Sequence, residues 1–449
     1  MIFFRKKKGW LWDTLIFILI MGHFLLLNGC RKESTQSTHT GSVIFIHPDG
    51  SSLSAWCALR LLKKGPDGLI HWDKMERMGV YRGHLKDSPV SSSQGGATAH
   101  AYGIKAHYRD YGNNPDHPFL SLSGKAYSIA VEAQKAGKSL ALINSGHLCE
   151  PGTGAFVANS EGRGDKDLIT RQIIESGADI ILAGGEELLL PPEVLGRHGK
   201  PGTRKDGKNL IQHAENLGYT VVYTRNELLS LPDSTEKVFG VFASYHTFND
   251  KTEEKLKKRG FPLYNETAPT VAEMLEVALR IFQFKGKDFL IVVEEEGSDN
   301  FANQNNAIGT FEALNRADDA IGVALEYIEK NPHTLLITAA DSDAGGMEVL
   351  NVLDPNEFDK PLPPTTKNGA PLDGRDGTAT PPFVSAPDRF GNQFRFGIAW
   401  TCYDDVAGGV LARAHGLNSH LLPNNVDNTD IYRMMYITLF GEWLSGPGS

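Results

Sequence analysis

Short apolar runs that stop at polar or acidic residues recur along this chain, and they constrain its fold more than any other feature. They lie at Val43–His47, Leu140–Asn144, Ile180–Ala183, Val238–Ala243, Phe289–Val293, Leu335–Thr338 and Phe396–Thr401. Several are rich in Ile and Val, as strands covered on both faces of a parallel sheet are. Helical patterns separate them. Between Gly309 and Lys330, apolar Phe311, Leu314, Ala317, Ile321, Ala324, Leu325 and Ile328 recur mostly three or four apart, and Pro332 follows. This alternation predicts an α/β layered sheet. In such sheets ligands bind beyond the carboxyl ends of the strands.

At those ends the sequence places carboxylates. Ile44-Phe45-Ile46-His47-Pro48 runs into Asp49-Gly50, and Val292-Val293 into Glu294-Glu295-Glu296-Gly297-Ser298-Asp299. Thr338-Ala339-Ala340 leads into Asp341-Ser342-Asp343, and Trp400-Thr401 into Asp404-Asp405. Any one of these acids reads equally well as a cap on a turn. Together they predict a cluster of buried carboxylates, which raise one another's pKa and call for a cation. A different signal is Val90-Ser91-Ser92-Ser93-Gln94-Gly95-Gly96-Ala97-Thr98-Ala99. Here hydroxyls enter a helix of small residues, whose N-terminal N–H groups and dipole favour an oxyanion.

The 449 residues suit one large domain with insertions as well as two domains. An apolar share of 41% supports a substantial core, and a net charge of −9 excludes a broad nucleic-acid-binding surface. Residues 1–30 read as a lipoprotein signal peptide. Arg5, Lys6, Lys7 and Lys8 precede an apolar stretch and Leu27-Asn28-Gly29-Cys30, where Cys30 would carry the lipid. A single spanning anchor is the alternative, and in both cases the globular part lies outside the cytoplasm, in the periplasm or at the cell surface. Residues 31–41 read as a flexible polar tether. Cys57, Cys149 and Cys402 show no metal-type spacing and are expected to be packed thiols. Residues 354–393, rich in Pro, Gly and Asp, read as an insertion rimming the site or as a disordered excursion.

Over nearly the whole of residues 42–449 these motifs resemble the alkaline phosphatase family. Asp49-Gly50 is similar to its first metal aspartate, and Ser93 with Gly96-Ala97-Thr98-Ala99 to its nucleophile segment. Glu294 and Asp299 keep the family's Glu-to-Asp spacing. Ala340-Asp341 with Gly345-Gly346 resembles its Thr-Ala-Asp-His motif, and Ala155-Phe156-Val157-Ala158 followed by Arg163 its phosphate-binding stretch. The chain departs from the family at its imidazoles. Asn303, Ser342 and Thr401 stand where metal histidines are expected, with Asp405 beside Thr401, and Ser92 stands where an Asp is usual before the nucleophile.

The resemblance implies a three-layer sandwich with a large, mostly parallel central sheet, and a metal-dependent phosphomonoesterase acting through a phosphoserine at Ser93. Asp49, Asp341 and Ser342 would hold the ion that activates Ser93. Asp299, Asn303 and Asp405 would hold the ion at the leaving group, and Glu294 with Asp49 a third. Either Thr153 or Glu150 would complete that third site. Arg163 would clamp the phosphate. The oxygen-rich set favours magnesium, with zinc or a harder cation such as calcium or manganese at the other sites. His100, His147, His246 and His415 are available but unassigned. The expected partner is a small phosphate ester, and a homodimer is an open expectation. The alternatives are a phosphodiesterase, phosphonate hydrolase or sulfatase of the same superfamily, or a non-catalytic lipoprotein that binds metal or phosphate.

Overall fold

The structure, a computed structural model, describes residues 39–446. The leader, the lipidation site at Cys30 and most of the tether lie outside the described residues. In chain order the strands begin with β1 (Ser42–Pro48), β2 (Arg77–Arg82), β3 (Ser139–His147), β4 (Ile180–Gly184) and β5 (Thr220–Val222). They continue with β6 (Val238–Val241), β7 (Phe289–Glu295), β8 (Thr334–Thr338), β9 (Asp343–Ala344) and β10 (Met347–Val352). The short β11 (Leu372–Gly374), β12 (Gly377–Thr378) and β13 (Phe383–Val384) precede β14 (Arg395–Trp400), β15 (Asp405–Val406), β16 (Leu411–Gly416) and β17 (Asn425–Asp427).

Ten strands form one sheet in the order β17-β2-β16-β8-β1-β7-β3-β4-β6-β5. β16 pairs antiparallel with both β8 and β2, while every other pairing is parallel. The fold is therefore α/β with a large, mostly parallel central sheet. Alternate residues of the central strands feed different cores, which makes three layers. Val43, Phe45, Leu290, Val292, Leu335 and Ile337 join the core containing Ala97 and Ala101 of the helix Ser93–Tyr102. Ile44, Ile46, Ile291, Val293 and Leu336 join the core containing the helices Val271–Lys285 and Ala307–Lys330. Fully burying one such side chain contributes about 1.5–3 kcal/mol, so a one-residue slip of register is strongly disfavoured.

This alternation also positions the chemistry. His47 and Asp49 continue the face of Val43 and Phe45, and Glu294 continues that of Leu290 and Val292. That is the face on which the Ser93 helix packs. Glu295 continues the opposite face, and its Oε1 is taken by Ser145 Oγ and Tyr264 OH, both at 2.7 Å, so it is a structural acid.

Two sequence expectations need correction here. Phe396–Thr401 is not a parallel strand of the main sheet. It is β14, antiparallel to β10 and β11 in a second, smaller sheet. Phe396, Ile398 and Trp400 reach the helical core while Ala399 packs on Leu362 and Leu372, so β14 is covered on both faces and has the composition of a parallel strand. Residues 354–393, the second correction, are not a disordered excursion: they supply β11, β12 and β13 to that sheet. Beyond the small sheet itself, their described hydrogen bonds run to Leu61, Asp67 and Glu254. Cys57, Cys149 and Cys402 are free thiols. No helix among the described residues is long and apolar enough to cross a membrane.

Candidate active site and metal centre

The expected acids meet at the carboxyl ends of β1, β7 and β8. The pairing of β1 with β7 sets His47 opposite Glu294, and that of β3 with β7 sets Asn144 opposite Glu294. Asp49 Oδ1 accepts from Gly50 N at 2.9 Å and lies 3.0 Å from His47 Nε2. Its Oδ2 is buried and without a partner, as are Asp341 Oδ2 and Glu296 Oε2. The carboxyl groups of Asp49 and Asp341 are within hydrogen-bonding reach of each other. So are those of Asp299 and Asp405. Burial first, then the facing acids, push Asp341 and Asp299 well above the usual carboxylate range. Orphaned buried carboxylate oxygens and paired acids are what a divalent cation satisfies, and the residues present fit such ions.

Glu294 is gripped by the short helix Pro151–Gly154. Gly152 N donates to its Oε1 and Thr153 N to its Oε2, both at 3.0 Å, and Asn144 Nδ2 donates to Oε2. Gly152 has to be glycine, because a Cβ there would lie against the Glu294 carboxylate and 2.7 Å from His47 Cδ2. Of the two residues left open by the sequence, Thr153 is thus the neighbour of Glu294. Glu150 does something else: its Oε2 accepts from Arg163 Nη2 at 2.6 Å, and its Oε1 lies 3.0 Å from His147 Nε2. Glu150 is buried, which opposes its charge, but His147 and Arg163 hold its pKa below the carboxylate range.

Ser93 opens the helix Ser93–Tyr102 behind the N-cap Ser92, whose side chain accepts from Gly95 N at 3.2 Å and donates to Tyr108 O at 2.6 Å. Ser92 therefore caps the helix, with its side chain hydrogen-bonded to Gly95 N and Tyr108 O. A Cβ at Gly96 would lie 3.0 Å from Asp341 Oδ2, so Asp341 packs on the first turn of this helix. Arg163 joins the same turn, its N donating to Gln94 Oε1 at 2.9 Å. Its side chain is 47% exposed, beside a cleft of about 510 Å³ lined by Gln94, Arg109, Arg163 and Asp165.

The outer acids also come together, by a different route from the one expected. Asp299 lies on the helix Gly297–Ala302 after β7. Asp405 comes from β15, which pairs with β9 just after Asp341 and is not part of the main sheet. Asn303 Nδ2 lies 3.1 Å from both Asp299 oxygens and from Asp405 Oδ1, while its Oδ1 accepts from Gly345 N at 3.1 Å. Asn303 thus faces the acids with its amide N–H groups and clamps them. Ser342 Oγ donates to Asp341 Oδ1 at 3.3 Å, and Thr401 Oγ1 donates to Gly346 O at 3.0 Å.

A family model described as alkaline phosphatase matches residues 41–439. The chain belongs to the alkaline phosphatase family. The alkaline phosphatase of Escherichia coli K12 is 25% identical over 345 residues, covering 69% of this chain and 71% of that enzyme. The membrane-bound alkaline phosphatase of Bombyx mori is 25% identical over 343 residues, covering 67% of this chain and 60% of that enzyme. Among solved structures, the alkaline phosphatase of the Antarctic bacterium TAB5 superposes with a TM-score of 0.67 at 18% identity, covering 90% of this chain and 99% of that one. A TAB5 variant with Mg bound in its M3 site superposes at 0.66. Family and fold make this chain a phosphatase-type hydrolase, in a family whose members bind divalent metals.

Sequence reasoning missed the immediate neighbours of these acids. His47 lies beside Asp49 and Asp341 and Asn144 beside Glu294, and His147, named but unassigned, stacks on His246 beside Glu150 with ring centroids 5.0 Å apart. Position 47 alone carried a signal: it is a polar residue on the buried face of a central strand.

Proposed function

We propose that this chain is a metal-dependent phosphomonoesterase that passes the phosphoryl group through Ser93. The observation that carries the reading is the gathering of Asp49, Asp341, Asp299 and Asp405 beside the first turn of the Ser93 helix. Ser93 Oγ bonds to phosphorus as the bond to the leaving alcohol breaks, and water then cleaves the phosphoserine to free the hydroxyl and inorganic phosphate. N–H groups of the first turn favour the negative oxygens. Arg163 offers its planar fork to two phosphate oxygens, with Glu150 holding the guanidinium in place.

Divalent cations, when bound, neutralise the charge on the attacking and leaving oxygens. Asp49 with Asp341 would hold one, Asp299 with Asp405 a second, and Glu294 with Thr153 a third, the last consistent with magnesium. Glu294 Oε1 accepts from Gly152 N alone and so retains a lone pair for an ion, while Oε2 is taken up by Thr153 N and Asn144 Nδ2. Uncatalysed phosphate monoester hydrolysis is so slow that enzymes of this kind supply up to about 10²¹-fold acceleration.

The test is Ser93→Ala. Turnover of an aryl phosphate is expected to fall to background, and acid quenching with labelled substrate should trap phosphoserine in the wild type only. A variant as fast as the wild type sinks Ser93 as nucleophile. Faster turnover of diesters or sulfate esters than of monoesters sinks the substrate class.

A further inference from the structure

We infer that His47 is a direct metal ligand at the Asp49–Asp341 site, supplying an imidazole from the first strand. The inference rests on the metal-dependent reading above. His47 Nδ1 lies 2.7 Å from Ala339 O. A carbonyl can only accept, so Nδ1 carries the ring proton and donates it. That leaves Nε2 with its lone pair facing Asp49 Oδ1 at 3.0 Å. Two lone-pair atoms hold that separation only with a cation between them, a proton in the ion-free protein or a metal in the loaded one. Ligand atoms about 2.1 Å from a common ion and roughly at right angles are about 3 Å apart. An N–H directed at a backbone carbonyl is also the usual outer partner of a metal-bound histidine.

The unpartnered atoms complete the argument. A ring nitrogen of His47, an Asp49 oxygen and an Asp341 oxygen all lie within 4.8 Å of one another, all three residues are buried, and Oδ2 of each Asp has no partner. The ring cannot easily turn away. His100 and Phe45 contact it with centroids 5.6 and 5.9 Å from its own, and the bare Cα of Gly152 closes its edge. One imidazole among carboxylates moves this site from calcium towards zinc, cobalt or manganese. The Asp299–Asp405 pair keeps oxygen ligands only. The two halves of the centre thus differ in metal preference, and the nitrogen comes from residue 47 instead of residue 342.

Pulsed electron paramagnetic resonance of the Mn²⁺-loaded full chain reads this directly. The wild type is expected to show coupling to a bound imidazole nitrogen. His47→Gln should lose that coupling and weaken Mn²⁺ binding about tenfold or more. The double variant His147→Gln/His246→Gln should keep it. Should His47→Gln not fold, that double variant decides alone: persistent coupling supports His47, and lost coupling overturns it. Mn²⁺ binding in the wild type without nitrogen coupling, or coupling retained in His47→Gln, overturns the inference and leaves the hydrolase reading standing. No binding of Mn²⁺, Zn²⁺ or Mg²⁺ at all overturns both.

Discussion

Arg163 is held by a single buried carboxylate, and that carboxylate is anchored from behind. Glu150 accepts from Arg163 and faces His147, so the guanidinium keeps one orientation although its side chain is half exposed. Hydrogen bonds to charged groups are worth about 1.5–3 kcal/mol, so Glu150→Gln should cost about ten- to a hundredfold in kcat/KM. The loss should fall mainly on KM and on inhibition by inorganic phosphate, which steady-state kinetics on a variant with unchanged circular dichroism would show. Unchanged KM and unchanged phosphate inhibition would mean that Glu150 does not position Arg163. At this scale the acids were legible because each ends an apolar run. The roles of Glu150 and His47 were not, for a physical reason: each acts through a partner brought in by folding, Arg163 for one and the Ala339 carbonyl for the other. Neither contact leaves a spacing in the sequence. Asn303 was legible as a position, and the Gly345 N–H shows which end of its amide faces the acids.

Among the elements, β1, β3, β4, β6, β7 and β8 were readable because both faces are apolar. β2 and β16 have alternating burial and lie on the flank of the sheet, so they carry no continuous apolar run. β14 misled for the opposite reason, being covered on both faces inside a small antiparallel sheet. That small sheet carries a prediction of its own. Burial, followed by the charge of Asp373, raises Glu253 to about 8, and burial raises Asp373 to about 6 despite the hydrogen bond from Trp400 Nε1. Both acids hold protons in the fold that they lose in the unfolded chain near pH 4. Their stabilisation is complete below that pH and is lost as pH rises through about 6 and then 8. Limited proteolysis should therefore cut within 354–393 faster at pH 9 than at pH 5.5, at matched protease activity. Equal rates would show that this carboxyl pair does not secure the sheet to the helix Glu253–Arg259.

For the whole molecule, the acidic centre links stability to both protons and cations. Glu294 is raised to about 8 by burial and then by Asp49. Burial would lower His47, but Asp49, with Asp341 and Glu294 behind it, raises it to about 10. Both shifts bind protons more tightly in the folded state, with one sign. For Glu294 the contribution is full below about 4.5 and lost as pH rises through 8; for His47 it is full below about 6.5 and lost through 10. Chelated protein should therefore melt at a progressively lower temperature from pH 6 to pH 9. Adding Mg²⁺ with Mn²⁺ should restore most of the loss, since an ion at a hundred times its Kd adds about 2.7 kcal/mol. Calorimetric melting of stripped and reloaded protein checks this, and identical curves would mean that the cluster holds no ion.

The place of β1 in the sheet has a further consequence, for assembly. Val43 pairs with Leu290 on one side and with Leu335 on the other, so the first strand to be synthesised waits for partners made much later. β1 is closed on its second side only when β8 is made, and β16 and β17 join the flank of the sheet later still. Long-range pairing of this kind is slow and leaves apolar edges open in the meantime. A nascent chain released before Thr334 would leave one edge of the Val43–Ile46 segment unpaired and would lack Asp341 and Asp405, so the acidic cluster is complete only once Asp405 has been made.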